Sequence, residues 1–438
     1  MRFSLWMFSC LFCCVTALGQ HGHDGHDHSG HDHTGHDHAH GDGVVEQVEE
    51  HVAHGDEHGH GEGHCSCDHH VAEFDAGAAA FHHIADQNIF SIGPFALPLP
   101  FIGYSTEDGL TMFNTSYFDS DGHGNSCKVK DGYMLSDGRV RRVIDKDFPE
   151  GELIADGITH VTVLTPKGDE KHVAGVCYNG KVYQTEARST MDFGLFGGGL
   201  TSWYDFSISK NVVGMALIFL LMAVVFLSIA GAYKKREGQA PKGLQNFIEP
   251  IFLFIQDEVA KPFLGDKYEK FLPFLMTLFF FILGLNLFGQ LPFFGNVNVT
   301  GNLAFTAALA VITFFVVNLS GNGHYWQHVF WMPGVPAWVK VILTPVEILG
   351  LFIKPLTLAL RLFANITAGH IVLTVFVGLI FVTAQSLGSE AAYGVSIGSA
   401  LLTIFMMAIE LLVAFLQAFV FTILTASYLG AATEEAHH

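Results

Sequence analysis

The chain has 438 residues, a net charge of −20 and 40 phenylalanines, and half of its residues are hydrophobic. Together with a positive mean hydropathy, this composition excludes a single soluble domain and is typical of an integral membrane protein that carries a polar region. The acidity lies in residues 1–200, which hold 30 acidic and 11 basic side chains, so no basic face is available for nucleic acid.

Residues 1–19 have the pattern of a secretory signal peptide. Arg2 supplies a positive end, Leu5–Val15 an apolar stretch, and Ala17-Leu18-Gly19 a small-residue cleavage site. The segment is short for a membrane span, and a retained N-terminal anchor is the alternative. We predict that this segment is removed.

Residues 20–70 form a low-complexity tract with 16 histidines among aspartate and glycine. Such a sequence cannot bury enough apolar surface to fold, so we predict that it is disordered. Imidazole and thiolate groups bind divalent metals, and the candidates for a weak site are His64, Cys65, Cys67 and His69. The alternative is a solvated tail whose charge changes with pH.

The sequence pattern of residues 71–200 predicts a small, mainly β extracytoplasmic domain. Strand-like alternation occurs in Gly157–Leu164 and His172–Val182, and Asp-Gly and Asn-Gly turn signals separate the stretches. We also expect a short helix near Ala76–Gln87 and a glycine linker at Gly197-Gly198-Gly199. No catalytic constellation occurs in this part of the sequence.

Four cysteines remain beyond the predicted signal peptide. In an oxidising compartment Cys127 and Cys177 could pair, whereas Cys65 and Cys67 lie in the histidine-rich context and could bind metal instead. The sequence does not fix the pairing.

Residues 201–438 are predicted to form the membrane domain. Val212–Tyr233 is the first span, and the basic cluster Lys234-Lys235-Arg236 follows it at once. By the positive-inside rule this cluster lies in the cytoplasm, so the β domain lies outside, in agreement with a signal peptide.

The rest of the membrane domain alternates apolar and polar segments. Apolar positions recur at helical spacing in Pro241–Lys270, which indicates an amphipathic helix on the membrane surface. Further spans follow at Phe271–Leu291, Leu303–Leu319, 338–384 and 393–430, and the last two are long enough to cross the bilayer at a steep tilt. We therefore predict a mainly α membrane protein with five transmembrane helices, one amphipathic surface helix and a cytoplasmic C-terminus.

A permanent cation, Arg361, lies within an apolar run of this domain. Guanidinium keeps its charge even when desolvated, and placing it in lipid costs at least ~2.5–3.5 kcal/mol. Glu347, Lys354 and Asn365 fall on nearly the same helical stripe. The stripe is either a buried ladder of ion pairs or an ion pathway, and the scarcity of membrane carboxylates favours the pathway.

Two further polar residues are expected to meet across a helix interface. His370 lies nine residues after Arg361, about half a turn around the helix, so it should point away from the Arg361 stripe. Its expected partner is Glu410 in the last helix, where Gln417 shares the face of Glu410.

Two motifs carry a resemblance to a known family. Leu360–His370, preceded by Glu347 and Lys354-Pro355, is similar to the signature of subunit a of the F-type ATP synthase. Leu416–Leu429 resembles the last helix of that family. The resemblance covers residues from about 203 to 435 and includes the outer loop Asn296–Thr300.

The resemblance implies a function and partners. It implies a non-catalytic, proton-translocating stator subunit of the bacterial inner membrane, without a cofactor, whose partners are the c-ring, the b subunits of the peripheral stalk and membrane lipid. Two offset half-channels would meet the c-ring at Arg361, and the other channel residues would be Asn365, His370, Glu410 and Gln417 on the outer side and Glu347 at the cytoplasmic outlet. In one common bacterial version of the family the acid and the imidazole of the His370 and Glu410 positions are exchanged.

Two other classes of protein compete with this interpretation. A metal-ion transporter could use the external histidines to collect cargo, but it needs ligands clustered inside the membrane, where only His370 and Glu410 come close and Arg361 repels cations. An external metal-binding module on a simple anchor leaves the charges deep in the helices unexplained. No phosphate-binding loop of the Walker type occurs in the sequence.

Overall fold

The computed structural model describes residues 85–92, 95–120, 124–164, 170–190, 200–291, 297–332 and 334–434. The predicted signal peptide and histidine-rich tract lie outside the described residues, and so do the candidate metal ligands His64, Cys65, Cys67 and His69. Of the helix predicted at Ala76–Gln87, only residues 85–87 are described, and they are not helical.

Residues 85–209, here called the β region, contain twelve strands in three antiparallel sheets. Seven strands form one sheet in the order β8-β5-β6-β7-β11-β10-β9, three form β12-β3-β4, and β1 pairs with β2. The strands are β1 (Ile89–Ile92), β2 (Phe95–Pro98), β3 (Pro100–Ser105), β4 (Gly109–Asn114), β5 (Lys128–Lys130), β6 (Tyr133–Ser136), β7 (Arg139–Val143), β8 (Glu152–Ile154), β9 (Gly157–Leu164), β10 (Glu170–Tyr178), β11 (Lys181–Glu186) and β12 (Trp203–Asp205).

Tight turns set the register of the largest sheet. In Asp137-Gly138 and Asn179-Gly180 both residues have positive φ, between 52° and 74°, as two-residue hairpin turns of right-handed twisted strands require. The second of these turns divides the stretch predicted at His172–Val182 into β10 and β11. The turn signals of the sequence therefore correspond to real hairpins.

The β region extends beyond the boundary predicted at residue 200. Strand β12 pairs with β3, and Trp203 is completely buried in a cluster with Phe101 and Tyr133. The glycine linker expected at Gly197-Gly198-Gly199 lies outside the described residues, and the core strand β12 follows it in the sequence.

The two cysteines expected to pair, Cys127 and Cys177, are both disulfide-bonded. Their carbonyls accept hydrogen bonds from the successive amides of Ala155 and Asp156, which brings the two cysteines side by side.

Most of the remaining described residues are helical. The main helices are α1 (Lys210–Lys235), α2 (Leu244–Ile255), α3 (Tyr268–Gly289), α4 (Leu303–Leu319), α5 (Gly323–Phe330), α6 (Ala337–Leu387) and α7 (Ser389–Thr433). Among the described residues, four stretches are long and apolar enough to cross a membrane, namely α1, Leu244–Gly289, α6 and α7, and there are five if α4 and α5 form one bent span. The prediction of a mainly α membrane protein with two long final helices is confirmed.

Two details of the helical part differ from the sequence-based expectation. The helix predicted on the membrane surface corresponds to α2. It is not separated from α3 by a loop, because the chain continues from α2 through a π-helical turn, Gln256–Ala260, toward α3. This stretch buries Ile255 and Val259. The loop expected between α4 and α6 contains α5, which is bent by 108° relative to α4. Both differences arise from packing against neighbouring helices, which hydropathy alone does not encode.

The β region is bonded directly to the start of α1. The Lys210 amide donates to the Gln87 carbonyl at 2.8 Å, and the Asn211 amide donates to Asp86 Oδ1 at 3.2 Å. Asp86 therefore acts as the N-cap acceptor of α1, although the residue at the cap position is Ser209, whose side chain makes no cap hydrogen bond.

Candidate functional site

Arg361 lies on the open side of α6. Leu358, Leu362 and Ile366 of the same helix are buried in the helical core, whereas Arg361 and Asn365 are exposed at the surface of the chain. The polar stripe of α6 thus faces away from the core, at a surface made otherwise of lipophilic side chains.

The alternative of an internal ladder of ion pairs finds no support along this stripe. Within the part of the chain that the structure describes, Glu347, Lys354 and Arg361 make no ion pair. Lys354 instead places its ammonium 5.4 Å from the ring centre of Tyr428 in α7. The stripe therefore carries cations for which the described residues supply no carboxylate partner.

A small cavity lies beside Lys354, on the side of Arg361 toward the start of α6. Tyr325 of α5, Asn318 of α4 and Tyr428 contribute polar atoms to its lining. The Tyr325 hydroxyl donates to Asn318 Oδ1 at 3.0 Å, which fixes both side chains. At ~1.5 Å per residue, Lys354 lies ~10 Å and Glu347 ~21 Å from Arg361 along the helix.

His370 and Glu410 meet between α6 and α7, on the other side of Arg361. His370 Nδ1 lies 3.7 Å from Glu410 Oε1, and the two side chains are 16% and 5% exposed. At this distance the two side chains are within ion-pair range, but the two atoms are too far apart for a hydrogen bond. The half-turn offset from Arg361 therefore predicts the position of His370 correctly.

Gly369 makes the approach of Glu410 to α6 feasible. A Cβ atom built at Gly369 would lie 3.0 Å from Glu410 Oε1. Any larger residue would crowd the carboxylate, so the glycine next to His370 fixes how deeply Glu410 enters the interface.

Helix α3 holds α7 at the level of Glu410 through two amide side chains that the sequence analysis did not single out. Asn286 Nδ2 donates to the Ala414 carbonyl at 3.1 Å, and Gln290 Nε2 donates to the Glu410 carbonyl at 2.9 Å. The sequence does contain a pattern that predicts this contact, because two amide side chains four residues apart in an apolar helical stretch lie on one face. Gln417, two turns beyond Glu410, is also buried.

The segment Val297–Asn302 closes this end of the interface. Thr367 of α6 donates to the Gly301 carbonyl at 3.4 Å, and Asn298 Oδ1 accepts from the Gly301 amide at 2.9 Å. Three buried polar atoms here lack a hydrogen-bond partner among the described residues, namely Asn286 Oδ1, Asn298 Nδ2 and Glu410 Oε1. Buried polar atoms of this kind need a partner such as an ordered water molecule.

The two polar regions are therefore separated along α6 by Arg361. The region of His370 and Glu410 lies on one side, at ~13 Å from Arg361 for His370, and the region of Lys354 and Glu347 lies on the other. Among the residues in the described ranges, no group of three His, Cys, Asp or Glu side chains could hold a metal ion.

Comparison with known proteins identifies two matching regions. The family profile described as ATP synthase A chain matches residues 213–430, and a domain of unknown function (DUF8433) matches residues 79–162. The second match falls largely within the β region.

The relatives share the helical part of the chain. ATP synthase subunit a of Chloroherpeton thalassium is 40% identical over 241 residues, which are 54% of this chain and 69% of the relative. ATP synthase subunit a 2 of Chlorobaculum tepidum is 44% identical over 52% of this chain and 64% of its own. ATP synthase subunit a of Myxococcus xanthus is 41% identical over 53% of this chain and 75% of its own. The chain thus spans about two thirds of the length of the relatives it matches.

Proposed function

Because the chain belongs to the family of ATP synthase subunit a, we propose that it is the proton-translocating stator subunit of an F-type ATP synthase. It makes no ATP itself. Its role is to conduct protons between the two sides of the membrane through two offset half-channels. The complex would lie in the bacterial inner membrane, with the β region outside and the C-terminus in the cytoplasm.

The observation that carries this proposal is the environment of Arg361. An arginine on an apolar helix needs an anionic partner, because an uncompensated cation in the membrane is costly. Within the described residues Arg361 has no ion pair, and the exposed face of α6 offers it to a neighbouring protein. A ring of c subunits, each with one membrane carboxylate, would supply that partner in trans, and the b subunits would hold the chain as a stator.

On the outer side, the half-channel would run from the Val297–Asn302 segment past His370 and Glu410 to Asn365 and Gln417. His370 and Glu410 are 3.7 Å apart, so a small side-chain movement would bring them into hydrogen-bond contact, and the buried acid and imidazole would pass a proton from one to the other. Asn286, Gln290 and Asn298 add fixed amide groups to the same path.

On the inner side, the half-channel would run past Lys354 to Glu347. A ring carboxylate would lose its proton there, because the guanidinium of Arg361 favours the carboxylate anion. The same positive charge would stop protons from crossing directly between the half-channels, so that transport requires rotation of the ring.

Replacing Arg361 with alanine tests the proposal. In Arg361→Ala complexes, ATP-driven proton pumping in inverted vesicles should be lost and passive proton leak should rise, because the barrier between the half-channels is gone. Lys340→Ala is the control, since Lys340 is a cation near the start of the same helix and stacks on Trp331 at 4.6 Å. Normal pumping by the Arg361→Ala complex would refute the proposed role.

A further inference from the structure

The hairpin of β1 and β2 is an uncharged segment at the junction between the β region and α1. No charged residue occurs between Asp86 and Glu107. This uncharged stretch contains β1, β2 and β3, whereas strands such as Lys128–Lys130 and Arg139–Val143 carry charges.

The register of the hairpin collects its large apolar side chains on one face. Phe90 pairs with Leu97, and Ile92 pairs with Phe95. Directly opposed residues share a face, and so do residues two apart on one strand, so all four side chains lie together. Phe90 is 2% exposed, whereas Ile92, Phe95 and Leu97 toward the tip are exposed, and Phe95 is 72% exposed.

The base of this apolar face belongs to the core of the helical domain. Phe90 is part of the same buried cluster as Met215 and Ile218 of α1 and Leu275 of α3. The chain also bonds to the first residue of α1 two residues before β1 begins, through Gln87 and Lys210. Strands of four residues are ~13 Å long, so the hairpin stays near the N-terminal end of α1.

The helix to which the hairpin is joined, α1, is long and apolar enough to span a bilayer. The exposed side chains of α1 include Leu217, Leu220 and Leu221, as expected of a membrane span in contact with lipid. The hairpin has two free strand edges whose amides and carbonyls need hydrogen-bond partners. Such edges are not tolerated in the hydrocarbon core but are compatible with the hydrated headgroup zone.

We propose that the β1–β2 hairpin is a lipid anchor, with Ile92, Phe95 and Leu97 inserted at the headgroup and acyl-chain boundary of the leaflet at the N-terminal end of α1. The position of the hairpin at the N-terminal end of a candidate membrane span and the lack of charge over residues 87–106 favour zwitterionic lipid as the occupant. An insertion depth of ~5–10 Å is typical of interfacial segments. The inference requires α1 to span the bilayer and is independent of proton conduction.

Site-specific fluorescence in the full chain tests the anchor. Cysteines other than the disulfide-bonded Cys127 and Cys177 are replaced by serine, and a nitrobenzoxadiazole label is attached at Phe95→Cys in the complex reconstituted into phosphatidylcholine vesicles. Ile154→Cys is the matched control, because Ile154 on the edge strand β8 is 73% exposed. Nitroxide at acyl carbon 5 should quench the label at position 95 at least about twofold more than the label at position 154.

Equal quenching at the two positions would overturn the proposal. Leu97→Cys, on the same face, is the second labelling site if Phe95→Cys does not fold. A benzophenone attached at position 95 forms a covalent adduct with the molecule that contacts the hairpin and so identifies it. An adduct with lipid supports the anchor, whereas an adduct with another subunit or a second copy of this chain shows a protein interface and refutes it.

Discussion

At the scale of single residues, the site depends on a buried acid and an imidazole held at a distance set by glycine. The side chain of Glu410 is only 5% exposed, and His370 lies 3.7 Å from it. A buried carboxylate is costly unless a nearby group compensates its charge or it is protonated. The charge carried by either side chain should therefore depend on the charge of the other.

Exchanging the two residues tests their coupling. His370→Glu combined with Glu410→His keeps one acid and one imidazole at the interface, so the double variant should conduct protons better than either single variant. Residues in contact have interaction energies of about 0.5–3 kcal/mol, which is large enough to see in proton flux and in thermal unfolding. A double variant as inactive as the worse single variant would show that the two residues act separately.

Gly369→Ala should reduce both stability and proton flux. Its new Cβ would lie 3.0 Å from Glu410 Oε1, and crowding of this kind costs about 1–3 kcal/mol. Gly350→Ala is the control on the same helix, because a Cβ there meets no atom within 4 Å. Thermal unfolding and ATP-driven pumping are the measurements, and equal behaviour of the two variants would contradict the packing argument.

At the scale of elements, helix ends are satisfied by distant parts of the chain. The start of α1 is capped by Asp86, and the end of α7 is capped by Asn322 and Lys267. The Asn322 side chain and the Lys267 ammonium donate to the Thr433 carbonyl at 2.9 and 2.7 Å. Orphan amides and carbonyls at helix ends need partners, so these contacts fix α1 to the β region and α7 to the preceding helices.

Asp86→Ala should loosen the first turn of α1. Loss of an N-cap acceptor costs about 0.5–2 kcal/mol, and hydrogen exchange of the amides at residues 210–213 should accelerate accordingly. Ser209→Ala is the matched control, since the Ser209 hydroxyl caps nothing although it occupies the cap position. Faster exchange in Ser209→Ala than in Asp86→Ala would show that the cap is assigned to the wrong residue.

At the scale of the whole molecule, charge and chemistry are divided between two parts of the chain. Residues 1–200 carry most of the acidic side chains, whereas the proposed proton path uses residues after Asn286. The matched relatives cover only about half of this chain, and that half is the helical part. Proton conduction is therefore expected to be a property of the helical part.

Deleting residues 20–70 should leave proton flux nearly unchanged, because none of the proposed channel residues lies in that segment. ATP-driven proton pumping by reconstituted complexes of the deletion variant and of the full chain is the comparison, with Arg361→Ala in the deletion variant, which should not pump, as the blank. Complete loss of flux in a normally assembled deletion variant would show that the histidine tract belongs to the path.

The sequence by itself determined the class of the protein, the position of its long helices, the hairpin turns and the facing of His370 toward Glu410. Hydropathy, turn chemistry and helical period are local properties, and each is written in consecutive residues. Only the tertiary structure decided that Trp203 belongs to the β region, that α2 continues toward α3, and that Asn286 and Gln290 bond to α7 near Glu410. These contacts bring together residues far apart in the chain, and their free energy arises from packing and hydrogen bonds that no local pattern records.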